Sequence, residues 1–212
     1  MEILPLGEAA FTIRIADAAT VENAERAALL ADAIRREGID SVTDVVPSVA
    51  SVSVYFFGDR ASGVEGALEE ILARTPDARS PMPDARFTTH HIPVDYSGAD
   101  LDEVAERTGL SRDQVIERHG SREYHVLALG FLPGWAYLGP LDPALKLPRR
   151  ATPRTRIPAG SIAIAGLQTG IYPRVSPGGW HLLGTTDAVL FDPARERPAL
   201  FRPGDRVRFV RQ

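Results

Sequence analysis

The sequence contains no cysteine. That excludes disulfides, zinc–thiolate centres and thiol catalysis, and it fits a cytoplasmic protein. Lysine is nearly absent: Lys146 stands alone, outside any biotin-type motif. No G-x-x-x-x-G-K-[ST] phosphate loop, G-x-G-x-x-G fingerprint or G-x-S-x-G nucleophile elbow is present. Without H-E-x-x-H or cysteine there is no recognisable metal set. His90 and His91 are adjacent on an expected strand, so they point to opposite faces and cannot chelate one ion together. Met1 to Ile15 lacks the basic start and apolar run of a signal peptide. The uncharged stretch Tyr124 to Leu141 contains Gly130, Pro133, Gly134, Gly139 and Pro140, which would break a lone helix in lipid. It reads as a strand running into a turn, in a soluble chain with no repeat and no low-complexity tract.

What is there suits one large domain or two small ones: 212 residues, 44% hydrophobic and 25% charged. The net charge of −4 is unevenly spread. Residues 143–186 carry Lys146, Arg149, Arg150, Arg154, Arg156 and Arg174 and no acidic residue. Such a patch in an acidic protein points to an anionic ligand or an acidic partner surface, or else to a solvated arginine face. The negative overall charge and the lack of a binding module argue against nucleic acid as a partner class.

Periodicity divides the chain. Ala9 to Ile15 alternates as a half-buried strand. Thr20 caps a helix that ends before Gly38. Val42 to Val46 and Ser51 to Phe57 read as strands. Ser62 and Glu65 have capping-box spacing ahead of a second helix, Pro76, Pro81 and Pro83 break the chain, and Phe87 to Val94 reads as another strand. The order β-α-β-β-α-β is the ferredoxin-like pattern, giving an α+β domain over residues 1–95. Asp100 with Glu103, and Ser111 with Gln114, look like two capped helix starts in a short connector over residues 96–121. Beyond it, over residues 122–212, glycine and proline become dense. Short β segments at Val126 to Leu129, Ile162 to Ala165, Ala188 to Phe191 and Arg206 to Val210 predict an all-β barrel or sandwich.

Three loops concentrate chemistry: Gly130-Phe131-Leu132-Pro133-Gly134-Trp135-Ala136-Tyr137-Leu138, Pro148 to Ser161, and Gly166 to Trp180. Proline fixes φ and glycine permits φ > 0, so these loops are rigid and irregular. Arginine can grip a carboxylate or phosphate with two parallel hydrogen bonds, and N–H groups near glycines can form an anion nest. Phe131, Trp135 and Trp180 read as core. Arg149, Arg154, Gln168, Thr169 and Tyr172 read as a functional surface.

These segments, with the closing run Leu200 to Phe209, resemble the signature of the allophanate hydrolase subunit 1 family, which includes the B subunit of 5-oxoprolinase and a sporulation-kinase inhibitor. The resemblance departs at Trp135, where phenylalanine is expected, and at His181, where glutamine is expected. It implies a C-terminal cyclophilin-like barrel behind the ferredoxin-like domain. It also implies a share in ATP-dependent hydrolysis of 5-oxo-L-proline to L-glutamate, together with two partners: a homologous cyclophilin-like C subunit and the A subunit of 5-oxoprolinase. ATP and Mg²⁺ would serve the complex without a dedicated motif in this chain, which would be inactive alone. The implied catalytic candidates are His119, Arg154, Gln168 and Tyr172. The substrate-binding candidates are Arg149, Arg150, Ser161, Thr169, Gly178 and Gly179, with no metal ligand. The arginines would face phosphates or the substrate carboxylate, the Gln168–Tyr172 segment would orient the amide, and His119 would transfer protons. The competing readings are a regulatory protein that inhibits a sensor histidine kinase, and a component of an allophanate hydrolase. A peptidyl-prolyl isomerase ranks below these, because fold alone does not carry function.

Overall fold

A computed structural model describes residues 1–58, 61–74 and 87–212. The chain divides into two compact units, Met1–Arg86 and Phe87–Gln212. No helix among the described residues is long and apolar enough to cross a membrane.

The first unit is a four-stranded antiparallel sheet with helices. Its strands are β1 (Glu2–Pro5), β2 (Ala10–Arg14), β3 (Val42–Pro47) and β4 (Ser51–Phe56), in the order β1-β2-β4-β3. Alternation decides the faces: Phe11, Ile13, Val52, Val54 and Phe56 are buried, and Phe11 stacks on Phe56 at 5.3 Å. Helix α1 (Val21–Glu37) lays its small face, Ala24, Ala27, Ala28 and Ala31 with Leu30 and Ile34, into the core. The Asn23 N–H donates to the Thr20 hydroxyl at the N-cap, and Gly38 closes the helix at φ 63°. Helix α2 (Ala61–Arg74) contributes Val64, Leu68 and Ile71. The Ser62 side chain, on which the expected capping box rests, and the proline break lie outside what is described.

The strand expected to complete this sheet does not do so. In a split β-α-β-β-α-β unit the last strand returns to the edge beside the first. Here β1, which alternation had not revealed, pairs with β2 and occupies that edge. The expected strand, β5 (Thr89–Val94), instead pairs in parallel with β13 (Arg206–Arg211) in the second unit. The observed division therefore falls at 86/87 rather than at 95.

The expected connector also belongs to the second unit. Helix α3 (Leu101–Thr108) and helix α4 (Arg112–Gly120) bury Leu101, Val104, Val115 and Ile116 in the same core as the barrel strands. Ser111 and Gln114 form a complete capping box. Asp100 precedes α3 but makes no side-chain cap.

Six further strands fill the sheet and its flank: β6 (Glu123–Leu129), β7 (Ala136–Gly139), β8 (Arg154–Ile157), β9 (Ser161–Ala165), β10 (Gln168–Ile171) and β11 (Ser176–Gly178). With β12 (His181–Thr185), a seven-stranded mixed sheet runs β12-β9-β10-β7-β6-β13-β5, and β8 pairs with β11 beside it. The sheet nearly closes on itself. Asp95, just past β5, exchanges two hydrogen bonds with Thr185 of β12, 3.0 and 2.8 Å. Glycine is required at this seam: a Cβ on Gly184 would sit 2.4 Å from the Asp95 carbonyl oxygen, and one on Gly98 would sit 2.3 Å from the Leu183 backbone. Ala188 to Phe191 is not a strand and retains a single bridge, Phe191 to Ala199.

Candidate functional site

A cavity of about 340 Å³ opens on the second unit. Its walls are mainly aromatic: Phe131, Trp135, Tyr137, Tyr172 and Trp180, with Arg149 and Arg150 among the polar lining. Trp135 is the centre of the aromatic cluster. Its ring lies 4.8 Å from Tyr172 and 5.0 Å from Trp180, both edge-on, with Phe131 edge-on at 5.5 Å. Trp135 and Trp180 are buried, in line with a core reading. Phe131 is not core: it is 58% exposed and held at φ 67° between Gly130 and Leu132. A left-handed conformation is unusual for a bulky residue, and the flanking Gly130 and Gly134, both at positive φ, make the turn that imposes it.

Close packing fixes the floor. A Cβ on Gly170 would meet the Trp135 ring at 2.8 Å, and one on Gly178 would meet the Tyr172 hydroxyl at 2.2 Å. Burial raises the Tyr172 pKa, opposed only in part by the nearby Trp180 backbone N–H and by the charges of Arg149 and Arg154. Tyr172 therefore keeps its proton at neutral pH and can donate it.

The predicted arginines separate into different roles. Arg154 donates to Asp100 through both terminal nitrogens, at 2.8 and 2.5 Å. Arg150 Nη1 donates to Asp100 at 3.1 Å and to Glu103 at 2.5 Å. Asp100 is almost fully buried and also accepts the Leu182 N–H of β12 at 2.8 Å. That is why it does not cap α3. Burial alone would raise the Asp100 pKa, but the Arg154 hydrogen bond, the Leu182 N–H and the two guanidinium charges outweigh it and hold the carboxyl below its ordinary range. The Arg150 hydrogen bond likewise lowers Glu103. Arg149 lines the cavity and, among the described residues, makes neither a hydrogen bond nor an ion pair.

The remaining predicted residues divide between wall and interior. Gly178 and Gly179 line the cavity, and the Gly179 carbonyl accepts the Arg150 N–H at 2.7 Å. Ser161 is buried in β9, and half-buried Gln168 starts β10; neither lines the cavity. His119 and Thr169 meet in the barrel core. The one hydroxyl hydrogen of Thr169 goes to the Ala163 carbonyl at 3.0 Å, so Thr169 accepts from His119 Nε2–H at 2.9 Å. His119 Nδ1 then accepts from the Tyr96 hydroxyl at 2.8 Å. Complete burial lowers the His119 pKa to about 3. A proton-transfer role is therefore corrected: His119 is a neutral core histidine with both nitrogens occupied, away from the cavity.

Residue-type reasoning placed Tyr137 in the first loop without a role and read Asp100 and Glu103 only as a helix start, so it missed all three as parts of the site. One signal pointed to the two carboxylates. A stretch of six cations without an acid must find counter-ions elsewhere in the chain, and these two supply them.

The groups left uncommitted around the cavity share one property. The Arg149 guanidinium and the Tyr172 O–H are donors, and so is the Trp135 indole N–H, which is buried without a partner. An aromatic-walled cavity offering donors suits a small ligand that carries acceptors, such as a carboxylate and an amide carbonyl.

Comparison with known proteins agrees with this architecture. A family model described as carboxyltransferase domain, subdomain C and D, matches residues 1–201. The B subunit of 5-oxoprolinase from Escherichia coli O157:H7 is 42% identical over 98% of this chain and 94% of its own length. That of Bacillus subtilis (strain 168) is 34% identical over 99% of this chain and 92% of its own. The crystal structure of TTHA0988 superposes with a TM-score of 0.84 at 41% identity, over 96% of this chain; this chain spans 40% of that one. The chain thus belongs to the carboxyltransferase subdomain C and D family, within the group that holds the 5-oxoprolinase B subunits and allophanate hydrolase subunit 1.

Proposed function

We propose that this chain is the B subunit of an ATP-dependent 5-oxoprolinase, which opens 5-oxo-L-proline to L-glutamate with a homologous barrel-bearing C subunit and an A subunit. Its two units are read as a ferredoxin-like α+β domain, with β1 in place of the last strand, and a cyclophilin-like barrel. The relatives named as 5-oxoprolinase B subunits support the assignment. The observation that carries it is the donor-lined aromatic cavity. 5-Oxoproline is a small lactam bearing a carboxylate, with acceptors at both ends and a ring N–H between them. Arg149 would pair with the carboxylate, and the Tyr172 hydroxyl would donate to the lactam oxygen. Ring opening adds water across the C–N bond. The share of this chain is to bind and orient the lactam while negative charge develops on its oxygen. ATP and Mg²⁺ would be handled by the assembled complex.

The test is ATP-dependent glutamate release from 5-oxo-L-proline by the three co-expressed subunits, with and without this chain. Activity that requires this chain supports the assignment. An assembled complex that leaves 5-oxoproline intact refutes it and puts allophanate first.

A further inference from the structure

The stretch that carries Arg149 has no regular structure of its own: residues 148–150 follow an isolated bridge at Leu147 and precede β8. Something else must fix where its guanidinium enters the cavity. Two bonds to residues 179–181, where β12 begins, do so from either side of Arg149. The Pro148 carbonyl accepts from His181 Nε2 at 2.9 Å, and the Arg150 N–H donates to the Gly179 carbonyl at 2.7 Å. The pairing is antiparallel, 148 with 181 and 150 with 179. Arg149 therefore stands opposite Trp180, and both line the cavity.

We propose that His181 is a positioning residue, whose imidazole N–H clamps residues 148–150 and so fixes Arg149 at the cavity; the proposal rests on the reading of that cavity as the lactam site. In an antiparallel ladder a backbone N–H would take the Pro148 carbonyl, and here the imidazole does.

The state of the ring follows from its partners. A carbonyl only accepts, so Nε2 bears the proton. His181 is wholly buried, and its Nδ1 makes no hydrogen bond. Glu103 Oε1 lies 3.7 Å from Nδ1, but that carboxylate is already held by Arg150 at 2.5 Å and by Arg107 at 3.1 Å. A buried ring nitrogen without a partner lowers stability, so an apolar side chain would suit this position better on packing alone. The one bond that the imidazole makes goes to the residue before Arg149. The other end of the stretch is held differently, by the Arg150 side chain on Asp100 and Glu103.

The test compares His181→Leu, which removes the N–H and keeps an apolar side chain, with His181→Gln, which keeps an N–H at similar reach. Hydrogen exchange of the Arg150 amide in the intact chain reads the clamp without any substrate. Loss of one net hydrogen bond should speed that exchange about fivefold in His181→Leu, and His181→Gln should restore it. In the assembled complex, His181→Leu should raise the KM for 5-oxo-L-proline about threefold or more, as for a residue coupled to its neighbour, with kcat little changed. Combined with Arg149→Ala, it should raise KM no further. Unchanged Arg150 exchange in His181→Leu overturns the clamp whatever the substrate. An unaltered KM also overturns the proposal, as does a penalty that simply adds to that of Arg149→Ala, because His181 would then act elsewhere. A His181→Gln variant that behaves like His181→Leu removes the N–H as the agent. A complex that leaves 5-oxo-L-proline intact refutes the substrate reading instead, and the exchange rates alone then decide the clamp.

Discussion

Three arginines within six positions of one another take different roles, and only their partners tell them apart. Arg154 and Arg150 are held by Asp100 and Glu103, while Arg149 is uncommitted at the cavity. Arg149→Ala should therefore raise the KM of the assembled complex about tenfold or more, near the value of one charge-assisted contact, with little change in melting temperature. Asp100→Asn should behave oppositely. Removing one partner of a buried ion pair costs roughly 3–5 kcal/mol, so thermal unfolding should show a marked loss of stability. The depressed Asp100 pKa gives the sign with pH: its contribution is complete above the ordinary carboxylate pKa and is lost as pH falls through the lower folded value. His119 adds a second acid effect. Its folded pKa, about 3, lies below that of the unfolded chain, so the unfolded state takes up a proton first and stability falls as pH drops from the unfolded value toward the folded one. At pH 5 the penalty is about 2 kcal/mol, taking an unfolded value near 6.5. Urea unfolding of His119→Gln between pH 7.5 and 5 should show lower stability at pH 7.5 and a shallower decline. An equally steep decline would remove His119 as its source. The residue types of the candidate site were legible from the sequence, and Tyr172, Arg149, Gly178 and Gly179 do meet at one cavity. What could not be read was commitment, because an arginine's partner is set by packing between segments such as residues 100–103 and 149–154, far apart in sequence.

Among the elements, the helices of this chain were the easier to read. Thr20, Gly38, Ser111 and Gln114 act where local capping rules put them, because a cap depends on neighbours within a few positions. The strands were less legible. Segments Ile162 to Ala165 and Arg206 to Val210 announced themselves by β-branched residues. β8, β10, β11 and β12 are short, rich in glycine or polar residues, and defined by partners rather than by pattern. β5 shows the limit most plainly. Its sequence reads as a strand, but only the occupation of the first sheet's edge by β1 decides that it joins the other unit. The seam beside it makes a direct prediction. Gly184→Ala places a methyl 2.4 Å from the Asp95 carbonyl oxygen, a backbone atom held in the seam, with the Val94 side chain at 3.1 Å. The expected cost is about 1–3 kcal/mol, as for overpacking of a tight site, read as a drop in denaturation midpoint. An alanine tolerated at Gly184 would mean that the two edges are not closed in solution.

At the scale of the molecule, charge and topology complement each other. The cationic stretch 143–186 supplies Arg149, Arg150 and Arg154, while the acidic connector supplies Asp100 and Glu103, so the imbalance visible along the sequence is partly cancelled in space. The remaining feature is the place of β13, which lies between β5 and β6 in the second sheet. Thr88 and Asp205, joined at the foot of that arrangement, are 117 residues apart. Bringing such distant segments together costs about 4 kcal/mol of loop-closure entropy, and the barrel interior gains its packing only after that encounter. Folding of this unit should therefore be slow and late-committing, with helices α3 and α4 formed well before the sheet is sealed. Asp205, which holds Thr88, His90 and Arg202 together, is the clasp of that closure. Asp205→Asn should slow refolding in stopped-flow experiments more than it accelerates unfolding if the clasp forms at the barrier, and the reverse would place it after the barrier has been crossed.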